Sequence, residues 1–169
     1  MTASNDKSHD NKHMTEIKFY VSKEEGLDHR LNIAYRLIQT ALERDLSIHI
    51  HTDSELTSAQ CDDFLWSKDN TSFIPHEIIA PINEAQTTEP SKPSKDATTL
   101  SCQITISHDY EPMLDCDYLI NLSNQRPSFF SRFLKVAEIL DNNEEIITAG
   151  RKRYSFYRDR GYTLGYYQL

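Results

Sequence analysis

Glycine is scarce in this sequence, with only four among the 169 residues. They are Gly26, Gly150, Gly161 and Gly165, and none belongs to a Gly-x-Gly-x-x-Gly or a Gly-x-x-x-x-Gly-Lys-Ser/Thr pattern. Loops with those patterns hold phosphates on backbone N–H groups that glycine leaves accessible. The sequence therefore argues against nucleotide binding, whichever fold it adopts.

Cysteine is also sparse. Cys61, Cys102 and Cys116 lie far apart and form no Cys-x-x-Cys pair, and no cysteine–histidine set has zinc-like spacing. An odd number of cysteines excludes a complete disulfide framework, so we predict reduced, partly buried thiols. We expect no cofactor and no metal from these residues.

Long apolar runs are absent. No segment approaches the roughly 20 apolar residues of a membrane-spanning helix, and the polar residues 1–14 lack the apolar stretch of a secretory signal. These features predict a cytoplasmic protein with no membrane partner. Residues 1–14 are predicted to be a disordered tail.

The net charge of −8 limits the choice of partners. An acidic chain is repelled by the phosphate backbone of nucleic acids unless its positive charge is gathered in one place. Such a basic patch occurs near the C-terminus. On an acidic background, a local patch suits a small acidic partner better than a long polyanion.

Hydrophobic periodicity predicts alternating strands and helices. The predicted strands are residues 15–21, 47–52, 102–107, 117–122, 134–140 and 162–167, and the predicted helices are 28–46, 53–66 and 143–160, with a helical turn at 127–133. The initial β-α-β-α order indicates parallel strands in a single α/β domain over residues 15–169. The Pro-, Ser- and Thr-rich residues 81–99 are predicted to be a surface loop.

Two capping signals accompany the helices. Asp53 or Ser54 is expected to cap the second predicted helix, because both side chains accept hydrogen bonds from the first free N–H groups. Gly161 is expected to follow the last helix, where a left-handed backbone conformation is common.

Two histidines raise the alternative of a metal-dependent hydrolase. His49 and His51 are two apart on a predicted strand and therefore face the same side. With Asp53 and His76 they form a candidate metal or acid–base cluster. The competing interpretation is a pair of ordinary strand residues, one of them partly buried and hydrogen-bonded. The missing ligand spacing favours that second interpretation.

Aromatic residues mark a second candidate site. The only tryptophan, Trp66, ends a predicted helix, and Phe73, Ile74 and Pro75 follow on a turn. Aromatic residues at a helix end and a loop are typical of a protein-binding hot spot. Most large aromatic residues pack in the core, however, and from spacing alone we favour core packing.

The C-terminal basic patch, residues 151–160, is the most informative segment. Arg151, Tyr154 and Arg158 are spaced to share one helix face, with Ile147 one turn earlier. Arg153, Tyr157 and Arg160 are predicted to lie on a neighbouring stripe of the same helix. Phe156 is predicted to face the core.

Arginines around an apolar notch suit an acidic peptide that ends in a hydrophobic residue, because guanidinium groups fork onto carboxylates. Two alternatives remain. The segment is a solvated basic helix, or it binds single-stranded DNA directly by stacking bases on its tyrosines.

Several motifs in order resemble one family. Leu-Trp, then Ser-Phe-Ile-Pro-His, then Asp-Tyr-Leu-Ile-Asn-Leu, then Arg-x-Arg-Tyr-x-x-Tyr-Arg-x-x-Gly-Tyr are similar to the chi subunit of bacterial DNA polymerase III. The resemblance covers residues 15–169. It implies one mainly parallel α/β domain, Rossmann-like, with helices on both faces and no nucleotide-binding loop. It also implies a subunit of the holoenzyme that is not itself an enzyme.

The resemblance further implies two protein partners, with DNA reached only through them. One is the psi subunit, which connects chi to the clamp loader, and the other is the acidic, Phe-terminated tail of single-stranded DNA-binding protein. The implied psi-binding residues are Trp66, Phe73, Ile74 and Pro75. The implied tail-binding residues are Leu140, Ile147, Arg151, Tyr154, Ser155 and Arg158. Other members carry basic residues where this chain has Ile147 and Ser155, so Lys152, Arg153 or Arg158 is expected to compensate.

Overall fold

The protein folds around one seven-stranded sheet. In the computed structural model, residues 14–68, 73–80, 102–112 and 116–169 are described. The strand order is β3-β4-β2-β5-β6-β1-β7, and every pairing among the described strands is parallel. The strands are β1 (Glu16–Val21), β2 (Ile48–Thr52), β3 (His76–Ile78), β4 (Ile104–His108), β5 (Tyr118–Asn121), β6 (Lys135–Leu140) and β7 (Thr163–Gln168).

Within the described part of the chain, three α-helices cover the two faces of this sheet. They are α1 (Leu27–Leu42), α2 (Glu55–Lys68) and α3 (Glu144–Asp159), and a 3-10 turn spans Phe130–Arg132. Side chains of α1 and α2 pack in one core cluster and those of α3 and the 3-10 turn in another. The central strands β2 and β5 are buried throughout, because both of their faces are covered. The predicted α/β class with helices on both faces is confirmed.

The connections that leave the neighbouring strands β1 and β6 run toward opposite edges of the sheet. From β1 the chain passes through α1 toward β2, whereas from β6 it passes through α3 to β7 on the other side. Helices that leave adjacent strands in opposite directions open a crevice at the carboxyl ends of those strands. Binding sites of open parallel sheets commonly lie in this crevice. The candidate site of this protein lies there too.

A buried carboxylate fixes that crevice. Asp141, directly after β6, accepts hydrogen bonds from the backbone N–H groups of Gly26 at 3.0 Å and Asn143 at 2.9 Å. Its other partner is Arg30 of α1, whose Nε lies 3.2 Å away. Because Asn143 caps α3 through its own side chain, Asp141 ties the start of α1 to the start of α3.

The predicted elements are largely confirmed. Ser54, not Asp53, caps α2, since its hydroxyl accepts from the N–H of Thr57. Gly161 follows α3 with a φ of 78°, a left-handed conformation that suits glycine. The first helix ends at Leu42, earlier than the predicted 46, and the chain turns at Asp45 with a φ of 55°.

One strand was missed. The three-residue β3 lies at the sheet edge, and two of its three side chains are exposed, so it carries neither the alternation nor the apolar run that predicts a strand. The predicted tail 1–14, apart from Met14, and the predicted loop 81–99 lie outside the described residues.

Candidate protein-binding cavity beside the last helix

A cavity of about 590 Å³ lies between α3 and the sheet. Its floor is formed by Phe19 and Val21 of β1 and by Leu140 at the end of β6. Tyr166 and Gln168 of the edge strand β7 form one wall. The cavity therefore occupies the crevice at the carboxyl ends of β6, β1 and β7, on the α3 side of the sheet.

Helix α3 supplies the opposite wall. Its lining residues are Ile147, Gly150, Arg151, Tyr154 and Ser155, which recur every three or four positions along one helix face. The predicted notch beside the basic patch is thus present in the fold.

The structure brings together five of the six predicted tail-binding residues, namely Leu140, Ile147, Arg151, Tyr154 and Ser155. The sixth, Arg158, lies one turn beyond Tyr154 and does not line the cavity. Its guanidinium donates two hydrogen bonds to Asp159 Oδ1, at 3.1 and 3.0 Å, and both side chains are largely exposed.

A close helix–strand contact sets the depth of the cavity. A Cβ atom on Gly150 would lie 1.9 Å from Leu140 Cδ2, a distance that no side chain tolerates. Glycine at this position therefore lets α3 lie directly on Leu140, which closes the floor.

The cavity combines an apolar floor, the polar side chains of Asn142, Ser155 and Gln168, and one cation. Tyr154 contacts Phe19 edge to face, with ring centroids 5.3 Å apart, so its ring forms part of the apolar wall. Among the described residues that line the cavity, Arg151 alone is charged, and it is exposed. A site of this kind accommodates an apolar side chain next to a single carboxylate.

The sequence did not indicate the residues opposite α3. Phe19, Val21 and Tyr166 were assigned to strands without a role in binding, and Gln168 lay just beyond the last predicted strand. Alternation along β1 and β7 shows which of these side chains share a face. It does not show that α3 leaves part of that face uncovered.

Arg153 has a different role from the one predicted. We expected it on an accessible stripe of α3, available to an acidic partner, but it is buried. Its Nε donates to Glu138 Oε2 at 2.9 Å, and its Nη1 donates to the carbonyl oxygen of Asn124 at 2.7 Å. A buried arginine that is paired with a buried carboxylate is not available to a ligand.

Tyr157 and Phe156 also exchange their predicted positions. Tyr157 is fully buried, whereas Phe156 is only half-buried. Tyr157 Oη donates to Glu138 Oε1 at 2.7 Å, and burial raises the pKa of the phenol, with the Glu138 carboxylate acting in the same direction. With Tyr157 in the core, Tyr154 is the one tyrosine of this helix that remains partly exposed for base stacking.

The second candidate site is a surface and not part of the core. Trp66 is 51% exposed and Phe73 is 69% exposed, so the expected core packing is wrong. Their rings contact each other with centroids 5.1 Å apart, and Trp66 also contacts His76, at 5.0 Å. The His76 ring is buried between α2 and β3, where Nε2 lies 3.1 Å from Asp62 Oδ1. Exposed aromatic rings on a fixed support are typical of a protein-binding surface.

The histidines do not form the alternative metal cluster. His49 is buried, with Nδ1 2.8 Å from Thr105 Oγ1 and Nε2 3.0 Å from Ser107 Oγ. Because the Ser107 hydroxyl donates to the carbonyl oxygen of Tyr110, it accepts from Nε2–H, and the neutral ring is satisfied. Burial lowers the pKa of His49 to about 3, with nearby His51 and Arg132 acting in the same direction.

His76 is separated from His49 and His51 by strand β4. Within residues 14–68, 73–80, 102–112 and 116–169, no group of three or more metal-ligating side chains could hold an ion. The same part of the chain contains no helix that is both long and apolar enough to cross a membrane.

Comparison with known proteins identifies the family. The model of the family described as "DNA polymerase III chi subunit, HolC" matches residues 14–165. The DNA polymerase III subunit chi of Pseudomonas aeruginosa is 29% identical over 156 residues, covering 92% of this chain and 98% of that protein. The subunit chi of Haemophilus influenzae is 26% identical over 148 residues, covering 87% and 92%. The chain belongs to the DNA polymerase III chi subunit family, and its role is accessory to DNA replication.

Proposed function

We propose that this protein is a non-catalytic adaptor that connects single-stranded DNA-binding protein to the clamp loader. The cavity beside α3 takes the acidic, Phe-terminated tail of single-stranded DNA-binding protein, and the Trp66–Phe73 surface takes a psi-like subunit. The observation that supports this most strongly is the assembly of Leu140, Ile147, Arg151 and Tyr154 around one cavity.

In the proposed mechanism, one charged residue attracts the tail and the apolar floor of the cavity supplies most of the affinity. Arg151 attracts the tail and pairs with a carboxylate, and the apolar floor receives the terminal phenyl ring. Burial of one aromatic side chain contributes about 1.5–3 kcal/mol. Phe19, Val21 and Leu140 provide the surface on which that burial takes place.

A peptide titration tests the proposal directly. A fluorescent Asp-Asp-Asp-x-Pro-Phe peptide and the same peptide without Phe are titrated with the protein at low and high salt. We expect micromolar binding that requires Phe and weakens with salt, because the charges involved are exposed. Absence of binding by either peptide would refute the tail-binding role.

Replacing Arg151 by alanine should weaken tail binding by about 1–3 kcal/mol, through loss of a charge-assisted contact. Fluorescence anisotropy with the same peptide measures the change. Arg44→Ala is the matched control, because Arg44 is exposed after α1, away from the cavity. Equal affinities of the Arg151→Ala variant and the unaltered protein would count against this assignment.

Replacing Trp66 by alanine should weaken binding of a psi-like subunit by about 2 kcal/mol or more, as is usual for an aromatic hot spot. Isothermal titration calorimetry with the purified subunit provides the measurement. Because Trp66 is half exposed, thermal stability should change little.

Leu56→Ala provides the matched control for this surface, since Leu56 is an exposed apolar residue on the same helix. The control variant should bind the subunit as the unaltered protein does. If the Trp66→Ala variant also binds it equally well, the psi-like partner does not use the Trp66–Phe73 surface.

A further inference from the structure

Two arginines enclose one phenylalanine on the flank of α3 that faces away from the cavity. The guanidinium carbon of Arg126 lies 3.8 Å from the centre of the Phe156 ring, and that of Arg160 lies 3.5 Å from it. Two groups this close to one ring centre cannot share a face, so each covers its own face. We call Arg126, Phe156 and Arg160 the arginine clamp.

The charges of the clamp have no counter-ion in the described part of the chain. Arg30, Arg153 and Arg158 each pair with a carboxylate. Arg126 and Arg160 have no such pair among the described residues, although the chain as a whole is acidic. Two cations held close together repel each other, so the clamp is electrostatically complementary to an anion.

The cavity itself offers little positive charge to an acidic peptide. Of the described residues in its lining, Arg151 is the one that carries a charge, and Glu144 and Glu145 occupy the first turn of α3. Carboxylates upstream of the terminal residue are therefore repelled from the start of the helix. The positive charge available to them lies further along the helix, on exposed Lys152 and on the clamp.

The distance from the cavity to the clamp is within reach of such a peptide. A helix with its side chains is about 10–12 Å wide, and six extended residues span about 20 Å. Ser155 lines the cavity, and the next residue, Phe156, belongs to the clamp. The small side chain of Ser155 leaves room for a peptide to pass over the helix at this point.

We propose that a peptide whose apolar terminal residue enters the cavity crosses α3 over Ser155 and places its upstream carboxylates on Arg126 and Arg160. This inference rests on the proposed tail binding. The clamp thereby supplies the positive charge that Ile147 and Ser155 do not. Arg153 cannot supply it, because it is buried with Glu138.

A carboxylate-bearing peptide suits the clamp better than a nucleic acid does. Bases bind single-stranded DNA-binding surfaces by stacking on open aromatic faces, and both faces of Phe156 are covered. The net charge of −8 also opposes a long polyanion, whereas a short acidic segment needs only local positive charge.

The test combines charge-removing variants with charge-removed peptides. Arg126→Gln, Arg160→Gln and the double variant are compared with Arg44→Gln, which removes an exposed arginine after α1, a helix that packs in the other core cluster. Each protein is titrated with Asp-Asp-Asp-x-Pro-Phe and with Asn-Asn-Asn-x-Pro-Phe. Thermal denaturation of each variant verifies that it is folded.

We expect each single clamp variant to weaken binding of the acidic peptide about twofold to fivefold, as for exposed ion pairs. The affinity for the neutral peptide should stay unchanged, and Arg44→Gln should affect neither peptide. If the neutral peptide does not bind at all, the upstream carboxylates of the acidic peptide carry the affinity. The effect of the clamp variants on the acidic peptide then tests the inference by itself.

Equal weakening of both peptides would overturn the inference, because the clamp would then act only by supporting the helix. Unchanged binding of the acidic peptide by the double variant would also overturn it, while leaving tail binding in the cavity intact. If the unaltered protein binds neither peptide, the proposed function fails together with this inference.

Discussion

Replacing Arg153 by alanine is expected to lower the free energy of unfolding by about 3–5 kcal/mol. The change leaves the carboxylate of Glu138 buried without its cation, since Glu138 is fully buried and lies 2.9 Å from Arg153 Nε. Asn121 and Tyr157 still donate to this carboxylate, but neutral donors do not balance a buried charge. Denaturation in urea at neutral pH measures the loss.

Two further variants separate the buried charge from other effects of the substitution. Arg151→Ala removes an exposed arginine from the same helix and should change stability by no more than about 0.5 kcal/mol. Glu138→Gln combined with Arg153→Met removes both charges and should recover much of the stability, because no unpaired ion remains. If Arg153→Ala costs less than about 1 kcal/mol, the ion pair does not hold α3 on the sheet.

Acid should destabilise the protein through His49. Its folded pKa of about 3 lies below the ordinary histidine pKa of 6.5, because burial disfavours the charged ring. Above pH 6.5 the ring is neutral in both states and contributes no pH dependence. As the pH falls below 6.5 the unfolded chain binds the proton first, so stability falls by about 1.4 kcal/mol per pH unit until the folded pKa is reached.

Between pH 7 and pH 5 this proton accounts for a loss of about 2 kcal/mol. His49→Gln should remove that contribution while keeping a side chain that can hydrogen-bond Thr105 and Ser107. Comparing urea denaturation of both proteins at the two pH values cancels the titration of all other groups. Equal losses in the two proteins would contradict burial of a neutral His49.

Arg151 and Arg153 illustrate how far the sequence could define the candidate site. Both belong to one basic run, and helical spacing correctly separates their faces. Spacing could not show that the face of Arg153 lies against Glu138, which is 15 residues away on β6. The sequence therefore predicted which side of α3 lines the cavity. It wrongly placed Arg153 on an accessible side of the helix, whereas that side is buried against the sheet.

Trp66 and Phe73 show the converse error, since they were expected in the core and are exposed. Hydrophobicity favoured core packing, because large aromatic residues are usually buried. The end of α2 lies beside the edge strand β3, however, and among the described residues no further element covers the two rings. Only the position of α2 at the sheet edge made them a surface.

The sequence by itself determined the α/β class, most of the strands and helices, the absence of a phosphate-binding loop and the side of α3 that lines the cavity. These features follow from local patterns, since periodicity, caps and glycine positions involve residues close together in the chain. Tertiary structure alone decided the depth of the cavity, where Gly150 lies on Leu140, its β1 and β7 walls, and the buried pair of Arg153 and Glu138. Each of these depends on contacts between distant segments, which no local pattern encodes.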